Sequence, residues 1–389
     1  MPLLRTLTLA AAFALTACGG GGGGDANAST AAQLQKSADA AVASGLAGIA
    51  LAHVTPDGST QALAGLRQVG TTAAIQAGDT FMIGSTTKAM TSALAGRLVE
   101  QGRIAWTTTL AEALPDLAPG MLPAYRGIAL EQLLSHRGGL LAFNNADDIA
   151  RFMAWLQTTL APLPTTLAGR ERFFAAWLLA QDPPAGVTPG QSFLYSNAGY
   201  AMAALMLEAR TGRPYAELLE QELARPLGLS VSWTSADVRF SNRPMGHVGA
   251  KGRLSALVAE DADVAAWLDV LRPGGEGTTT TPDSYATWVR WHLRALRGEA
   301  TPLATGYLQR IRALKGGDYA LGWIAADIDG RAVIAHDGEY RGFSSLLAID
   351  ARGRSASFAF TNTEADDQAW VLAVLNQAVL DVERALQPQ

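Results

Sequence analysis

The order of apolar and polar positions divides the chain into strand-rich ends and a helix-rich middle. Near the N-terminus, the pattern predicts a helix over 32–44, a strand at 48–54 and a hairpin partner near 61–66. Before a last helix over about 366–386, short strands are expected at 319–327, 331–336, 344–350 and 355–361. Strands at both ends with helices between them predict one sheet assembled from both termini, with a helical domain inserted in the middle.

The fold class predicted from this pattern is an α/β part combined with an all-α part. The α/β part covers about 31–113 and 272–385, and the helical part covers about 114–271, where loops rich in proline and glycine interrupt the helices. We expect the loops at 144–170 and 235–253 to wall a cleft between the two parts.

The first 17 residues have the layout of a cleavable export signal. One arginine precedes an apolar stretch from 7 to 15 that is too short to span a bilayer permanently. The tetrapeptide that ends at Cys18 resembles the lipobox of bacterial lipoproteins, in which the cysteine is acylated; a secretory signal that happens to contain cysteine is the alternative. We interpret residues 18–30, with six consecutive glycines, as a lipidated tether.

The location expected from these features is the periplasm, with the protein attached to a membrane through the lipid alone. By analogy with bacterial lipoproteins, glycine rather than aspartate after Cys18 favours the outer membrane. The chain is expected to act as a monomer.

Composition narrows the classes of function. A chain of 389 residues with 49% hydrophobic residues can bury a large core. The formal net charge is −5, and no basic run is dense enough to bind a row of phosphates, so nucleic acid is not expected as a partner. A single cysteine and five scattered histidines leave no thiolate metal cluster, and no metal site is predicted.

The first candidate for chemistry is Ser85-Thr86-Thr87-Lys88, near the start of a helix predicted over 81–100. Residues three apart on a helix share a face, so the Lys88 amine can reach the Ser85 hydroxyl and activate it as a nucleophile. A helix N-terminus and partial burial both disfavour the ammonium form of Lys88. A serine N-cap beside a solvated lysine is the alternative.

Two further short motifs carry candidate groups. In Tyr195-Ser196-Asn197, the Tyr195 phenol can ionise more easily if a lysine lies nearby, and it can then act as a base. The Asn197 amide can orient a lysine or a substrate carbonyl. The alternative is a turn before a helix, with no role in chemistry. In His336-Asp337-Gly338, expected just after a strand, the backbone can supply an N–H for an oxyanion, and Gly338 allows close approach of a substrate.

Together the three motifs resemble, in order and spacing, the SxxK, YxN and KTG-like triplet of class C β-lactamases and the related penicillin-binding proteins and esterases. Segments at 133–140 and 226–229 also resemble the family, which uses the first, with His136, to shape a loop. The resemblance spans about 31–385. It implies a β-lactamase/transpeptidase-like fold, an antiparallel sheet flanked by helices, with the active site in a cleft beside the helical part.

The resemblance also implies an acyl-enzyme mechanism that needs no cofactor. Ser85 would attack a carbonyl, Tyr195 with Lys88 would transfer the protons, and water would then hydrolyse the acyl-enzyme. The oxyanion would lie between the backbone N–H groups of Ser85 and Glu339. Asn197 would orient Lys88 and the substrate.

His336 departs from the family pattern, in which β-lactamases and peptidoglycan peptidases usually carry lysine. A fixed lysine attracts a substrate carboxylate, whereas histidine is largely neutral at pH 7 unless a neighbour such as Asp337 raises its pKa. Weak β-lactamase activity is therefore expected. Relatives with histidine at this position include family VIII-like esterases and D-amino-acid amidases or peptidases.

Three functions stay open at this point. The first is a serine hydrolase of small esters, amides or β-lactam-like substrates. The second is a D-amino-acid-specific peptidase or amidase acting on cell-wall peptides through the same active site. The third is a catalytically silent relative that binds cell-wall fragments, although Ser85, Lys88, Tyr195 and Asn197 are all present.

Overall fold

The computed structural model describes residues 23–233, 243–257, 262–365 and 368–386. The predicted export signal at 1–17, Cys18, and residues 235–242 of the predicted cleft loop lie outside these ranges. The first helix begins at Gly23, ahead of the expected position 32, so the end of the segment assigned to the tether is helical.

The described strands lie mainly toward the two ends of the chain, and most of the helices lie between them. The strands are β1 (Gly48–Val54), β2 (Ser59–Gly65), β3 (Phe81–Met82), β4 (Val231–Ser232), β5 (His247–Ala250), β6 (Arg253–Ala256), β7 (Thr279–Thr280), β8 (Tyr319–Ala320), β9 (Trp323–Ile328), β10 (Arg331–Tyr340), β11 (Phe343–Asp350) and β12 (Ala356–Thr361). The helices are α1 (Gly23–Ala43), α2 (Thr87–Glu100), α3 (Leu110–Ala113), α4 (Pro123–Arg126), α5 (Leu130–Leu134), α6 (Ala146–Thr158), α7 (Leu167–Leu178), α8 (Asn197–Thr211), α9 (Tyr215–Leu218), α10 (Arg225–Leu227), α11 (Ala262–Leu268), α12 (Pro282–Leu296), α13 (Thr305–Arg312) and α14 (Gln368–Ala385).

A seven-stranded antiparallel sheet forms the centre of the fold, in the order β2-β1-β12-β11-β10-β9-β8. The N-terminal strand β1 pairs with the C-terminal strand β12, from Ile49 opposite Thr361 to Val54 opposite Ala356. The two chain ends therefore meet inside one sheet. This confirms the predicted fold class of an antiparallel sheet flanked by helices and built from both termini.

Helices cover both faces of this sheet. Every residue of β1 is buried, as expected for a strand with apolar layers on both sides. Ile49 and Leu51 belong to the core that includes side chains of α1 and α14, whereas Ala50 and Ala52 belong to the larger core that includes α2 and α12. Successive side chains of a strand point to opposite faces, so β1 joins the two layers.

The segment between β3 and β7 holds most of the helices but also strands that the sequence pattern does not reveal. β3, β7 and β4 form a small sheet, and β5 and β6 form a hairpin that begins in the predicted cleft loop at 235–253 and ends three residues beyond it. The His247 N–H donates to the Asn362 carbonyl beyond β12, so the hairpin is held by the main sheet. This long-range contact explains why local pattern missed it.

The predicted helix over 81–100 is divided in three. Phe81 and Met82 pair with Thr280 and Thr279 as strand β3, a 3₁₀ turn follows at Gly84–Thr86, and α2 then runs from Thr87. Nearly every side chain of α2 is buried, so this helix passes through the core rather than along the surface. Among the described residues, no helix is long and apolar enough to cross a membrane.

Candidate active site

Ser85 lies in the 3₁₀ turn that leads into α2. N–H groups in the first turn of a helix have no intrahelical acceptor, and the helix dipole places partial positive charge there. The side chain is partly exposed, whereas its neighbours Gly84 and Thr86 are buried. Ser85 therefore combines an accessible hydroxyl with an environment that favours a developing negative charge.

Three glycines allow backbone segments to meet around Ser85. Gly84 has φ +50°, and a Cβ there would lie 2.4 Å from the backbone nitrogen of Glu339. A Cβ at Gly275, where φ is +121°, would lie 2.4 Å from the Gly84 oxygen. A Cβ at Gly338 would lie 2.7 Å from the Ser85 nitrogen. A side chain at any of these three positions would therefore clash with a neighbouring backbone segment.

Lys88 is fully buried, and its ammonium has three hydrogen-bond acceptors. Nζ lies 2.9 Å from Ser85 Oγ, 2.6 Å from Asn197 Oδ1 and 2.5 Å from the Gly274 oxygen. Burial lowers the pKa of Lys88 to about 7, although the charges of Glu276 and Asp337 oppose this shift. A substantial fraction of the neutral amine, the form that can accept a proton, is therefore present near neutral pH.

Asn197 is held from both ends of its amide. Its Oδ1 accepts from Lys88, and its Nδ2 donates to the Phe143 oxygen at 3.0 Å and to Glu276 Oε1 at 3.2 Å. Ser196 caps α8 by accepting from the Gly199 N–H, so Asn197 begins that helix. These contacts fit the predicted orientation of Lys88 by Asn197, and both Nδ2 hydrogens are engaged before any substrate is bound.

Tyr195 lies against the same lysine. Nζ of Lys88 is 4.6 Å from the centre of the phenol ring. Burial raises the pKa of Tyr195 well above its usual value, and the nearby Ser85 hydroxyl opposes this only in part. Desolvation is the largest influence on the pKa of this phenol, so its ionisation is disfavoured and not made easier as the motif suggested. Its hydroxyl has no hydrogen-bond partner of good geometry among the described residues.

The His136 ring packs against the ring of Tyr195. His136 is buried, has φ +57°, and its Nδ1 accepts from the Ser196 N–H at 3.0 Å. Its ring centre lies 4.2 Å from that of Tyr195 and 4.4 Å from that of Tyr319. Burial lowers the pKa of His136 well below its usual value, so the ring is neutral at pH 7. The loop-shaping role implied by the resemblance agrees with this position.

His336 and Gly338 lie inside strand β10, not after a strand as the sequence pattern suggested. Pairing with β11 continues to Tyr340 opposite Phe343, which extends β10 beyond the apolar residues that made it recognisable. His336 is buried, and its Nε2 lies 3.2 Å from the Tyr319 hydroxyl. Burial lowers the pKa of His336 to about 4, and the charge of Asp337 does not overcome this. The side chain is neutral at pH 7.

The same packing brings the backbone of Glu339 close to the turn that contains Ser85. The backbone nitrogen of Glu339 approaches Gly84, the residue before Ser85, so the two backbone segments that carry the expected N–H groups are adjacent. The Glu339 side chain is partly buried, and burial together with the charges of Asp337 and Glu364 raises its pKa to about 8.

Two residues at the site were not anticipated from the sequence. Glu276 contacts Asn197, and its charge acts on Lys88. Tyr319, on the short edge strand β8, contacts His336. Glu276 follows the Gly274-Gly275 pair in a loop, and Tyr319 begins the strand predicted at 319–327, but no local pattern marks either residue as part of the site. In the described ranges, no three His, Cys, Asp or Glu side chains cluster so that they could hold a metal ion.

This arrangement defines a class of protein. This site combines a serine hydroxyl at a helix N-terminus, a buried lysine whose pKa is lowered to about 7, a phenol, and the adjacent backbone segments of Ser85 and Glu339. These are the parts of an acyl-transfer site. The chain is a serine hydrolase.

The Beta-lactamase family model matches residues 31–379, so the chain belongs to the β-lactamase family. Penicillin-binding protein 4 of Amycolatopsis lactamdurans is 28% identical over 79% of this chain and 78% of its own length. The D-alanyl-D-alanine-carboxypeptidase/endopeptidase AmpH of Escherichia coli K12 is 26% identical over 69% of this chain and 66% of its own length.

The fold is shared with a solved enzyme structure. The D-amino acid amidase of Ochrobactrum anthropi SV3, in complex with D-phenylalanine, superposes with a TM-score of 0.69. The match covers 93% of this chain and 98% of that chain, with 20% sequence identity. At this identity the likeness shows the fold alone.

Proposed function

We propose that this chain hydrolyses amide or peptide bonds next to a D-amino acid, through an acyl-enzyme on Ser85. Ser85 Oγ attacks the carbonyl carbon, and its proton passes to the neutral amine of Lys88, 2.9 Å away. The C–N bond then breaks, and the leaving amine takes a proton from the Lys88–Tyr195 pair. Water hydrolyses the ester by the reverse proton path and releases the acid.

The pKa shifts of Lys88 and Tyr195 suit these two residues to different roles in proton transfer. Lys88, with a pKa of about 7, is the group that can change its charge near neutral pH. Tyr195, whose pKa is raised well above its usual value by burial, stays a phenol and is suited to donate or relay a proton. Asn197 holds the lysine in place through Oδ1.

The observation that carries the substrate class is the buried position of His336 beside the Tyr319 hydroxyl. The family pattern has lysine there, and a lysine would hold a substrate carboxylate by its fixed charge. A buried imidazole with a pKa of about 4 has no such charge at pH 7. This favours substrates without a carboxylate at that point, such as an amide or an internal peptide bond, over β-lactams and C-terminal D-alanine.

A relative supports the D configuration. The name of AmpH specifies D-alanyl-D-alanine as the substrate of that protein. Small esters remain substrates of the same site, because an alkoxide or phenoxide leaves more easily than an amine.

The test is to incubate the purified full chain with the D and L forms of alaninamide and phenylalaninamide, with p-nitrophenyl butyrate, and with a penicillin. We expect ammonia release from the D-amides, ester turnover, and slow or absent penicillin hydrolysis. Intact mass should show an acyl adduct that is absent in Ser85→Ala. That variant should lose at least about 1,000-fold in kcat/KM.

The matched control is Ser59→Ala, which removes an exposed serine at the start of β2 and should behave as wild type. Equal rates on D- and L-amides would reject the stereochemical part of the proposal. Faster hydrolysis of penicillin than of every amide would reject the part based on His336. Full activity in Ser85→Ala would reject the nucleophile.

We also propose that the chain is an exported lipoprotein of the periplasm, acylated at Cys18 and attached to the outer membrane. The proposal rests on the sequence of the first 30 residues alone. Labelled palmitate should be incorporated by a Gram-negative host that expresses the full chain, and not by the Cys18→Ser variant. Equal labelling of both proteins would contradict acylation at this cysteine.

A further inference from the structure

A cavity of about 750 Å³ adjoins the catalytic groups, and Tyr195 forms part of its wall. The other walls come from loops of the helical part, from the segment before β8, and from β9. The volume lies in the range of cavities that bind small organic molecules. Ser85, Lys88 and Asn197 do not line it. It is therefore a compartment beside the reaction centre, separated from Lys88 by a single phenol ring.

The wall of this cavity nearest the site is aromatic. Phe193 lines the cavity with 37% of its surface exposed, and its ring centre lies 5.9 Å from that of Tyr319. The Tyr319 ring lies 6.2 Å from the Tyr195 ring in an edge-on arrangement. Apolar surface that stays exposed inside a concave site is typical of ligand contact.

Neutral groups hold this wall in place. His136 packs edge-on against Phe193 at 5.8 Å and also contacts Tyr195 and Tyr319. Burial lowers the pKa of both His136 and His336, so neither carries charge at neutral pH. Leu314 and Ile324 add aliphatic surface to the same cavity. The polar side chains of the lining, Arg137, Asp318 and Asp327, are exposed to solvent.

We propose that this cavity is a substrate subsite for a large apolar group, either aromatic or branched aliphatic, with Phe193 as the residue that sets the preference. The proposal rests on the function proposed for Ser85 and adds the side-chain class of the substrate. Tyr195 contacts Lys88 and also lines the cavity, and Tyr319 connects the Tyr195 ring to Phe193 through ring contacts, so a group next to a carbonyl at Ser85 would extend toward this wall.

The test compares substrates that differ by one apolar group. For the acyl side, kcat/KM is measured for D-phenylalaninamide and D-alaninamide. For the leaving side, D-alanine benzylamide is compared with D-alaninamide. The two arms distinguish which part of the substrate enters the cavity, and a preference for the larger group in either arm agrees with the proposal.

The informative variant is Phe193→Ala, with Phe193→Leu as the conservative variant and Leu160→Ala as the control. In Phe193→Ala, the large-to-small ratio of kcat/KM should fall by about 10-fold or more in one arm. Phe193→Leu should retain most of the ratio, because it keeps apolar volume. Leu160 is fully exposed and does not line the cavity, so its variant should keep the wild-type ratio.

An unchanged ratio in both arms for Phe193→Ala would overturn the subsite. Absence of amide hydrolysis by the wild type would reject the proposed function instead. In that case the subsite is tested with p-nitrophenyl acetate and p-nitrophenyl phenylacetate, which share one leaving group and need only the serine hydrolase. The ratio for that pair should then fall in Phe193→Ala, and an unchanged ratio would overturn the subsite there too.

Discussion

At the scale of single residues, the chemistry depends on opposing influences on the pKa of Lys88. Burial removes water from the ammonium and lowers its pKa, while Glu276 and Asp337 supply negative charge that raises it. His136, His336, Tyr195 and Tyr200 also face this amine and are uncharged at pH 7. Burial is therefore the main source of neutral amine near pH 7, and the two carboxylates limit its amount.

Glu276→Gln should move the acidic limb of activity to lower pH. Glutamine keeps an acceptor for Asn197 Nδ2 but removes the charge that favours the ammonium, so the pKa of Lys88 falls. The free-amine form then persists at lower pH. The measurement is the pH dependence of kcat/KM for p-nitrophenyl butyrate, where the midpoint of the acidic limb should decrease.

Glu299→Gln is the matched control, since it removes an exposed carboxylate paired with Arg297. Its pH profile should match that of wild type. A midpoint that rises, or stays in place, in Glu276→Gln would show that Lys88 is not the group titrating in that limb.

At the scale of elements, the catalytic geometry comes from β10 packed against the turn before α2. The sequence pattern predicted one helix over 81–100, and α2 is the part of it that begins at Thr87. The pattern did not identify β3, which exists because Phe81 and Met82 pair with β7. It also ended β10 at 336, because the residues that follow are polar or small and extend the strand only through pairing with β11.

Gly338→Ala should reduce acylation while the protein stays folded. The added methyl group would lie 2.3 Å from the Ile83 oxygen and 2.7 Å from the Ser85 nitrogen, so β10 and the turn must separate. A displacement of about 1 Å at a reacting group can cost about 100-fold in rate. The measurement is the rate of labelling by a fluorophosphonate, with circular dichroism as the test of folding.

Gly127→Ala serves as the control, because a Cβ there meets no atom within 4 Å and the backbone is not left-handed. Its labelling rate should equal that of wild type. Normal labelling of a folded Gly338→Ala protein would argue against close contact between β10 and the nucleophile turn.

At the scale of the whole molecule, a buried carboxylate ties the two chain ends together. Glu383 on α14 accepts from Ser357 of β12 at 2.6 Å and from Arg331 of β10 at 3.2 Å, and it lies 3.6 Å from His53 of β1. Burial alone would raise the pKa of Glu383, but contacts with His53 and Ser357 and the charge of Arg331 lower it overall.

Glu383→Gln should lower the free energy of unfolding by about 3 kcal/mol at pH 7, because it leaves buried partners of the carboxylate uncompensated. A carboxylate whose pKa is lowered in the folded state stabilises it above the unfolded pKa, and this contribution is lost as the pH falls through the folded pKa. The difference from wild type should therefore shrink in acid. The measurement is the unfolding free energy of wild type and of Glu383→Gln, obtained by urea unfolding at pH 7 and at pH 4.

Asp381→Asn is the control from the same helix, since Asp381 is only partly buried and contacts Gln377 at the surface. Its unfolding free energy should lie within about 0.5 kcal/mol of wild type. A difference between Glu383→Gln and wild type that grows as the pH falls would contradict the lowered pKa.

The sequence by itself determined which residue types are available for the reaction and which family the chain resembles. Ser85, Lys88, Tyr195 and Asn197 stand in short motifs, and the strands at both ends have local apolar patterns, so both could be recognised without coordinates. Tertiary structure alone decided the contact of Glu276 with Asn197, the burial that keeps His336 neutral, and the cavity beside Tyr195. These depend on desolvation and on contacts between distant segments, which no local pattern encodes.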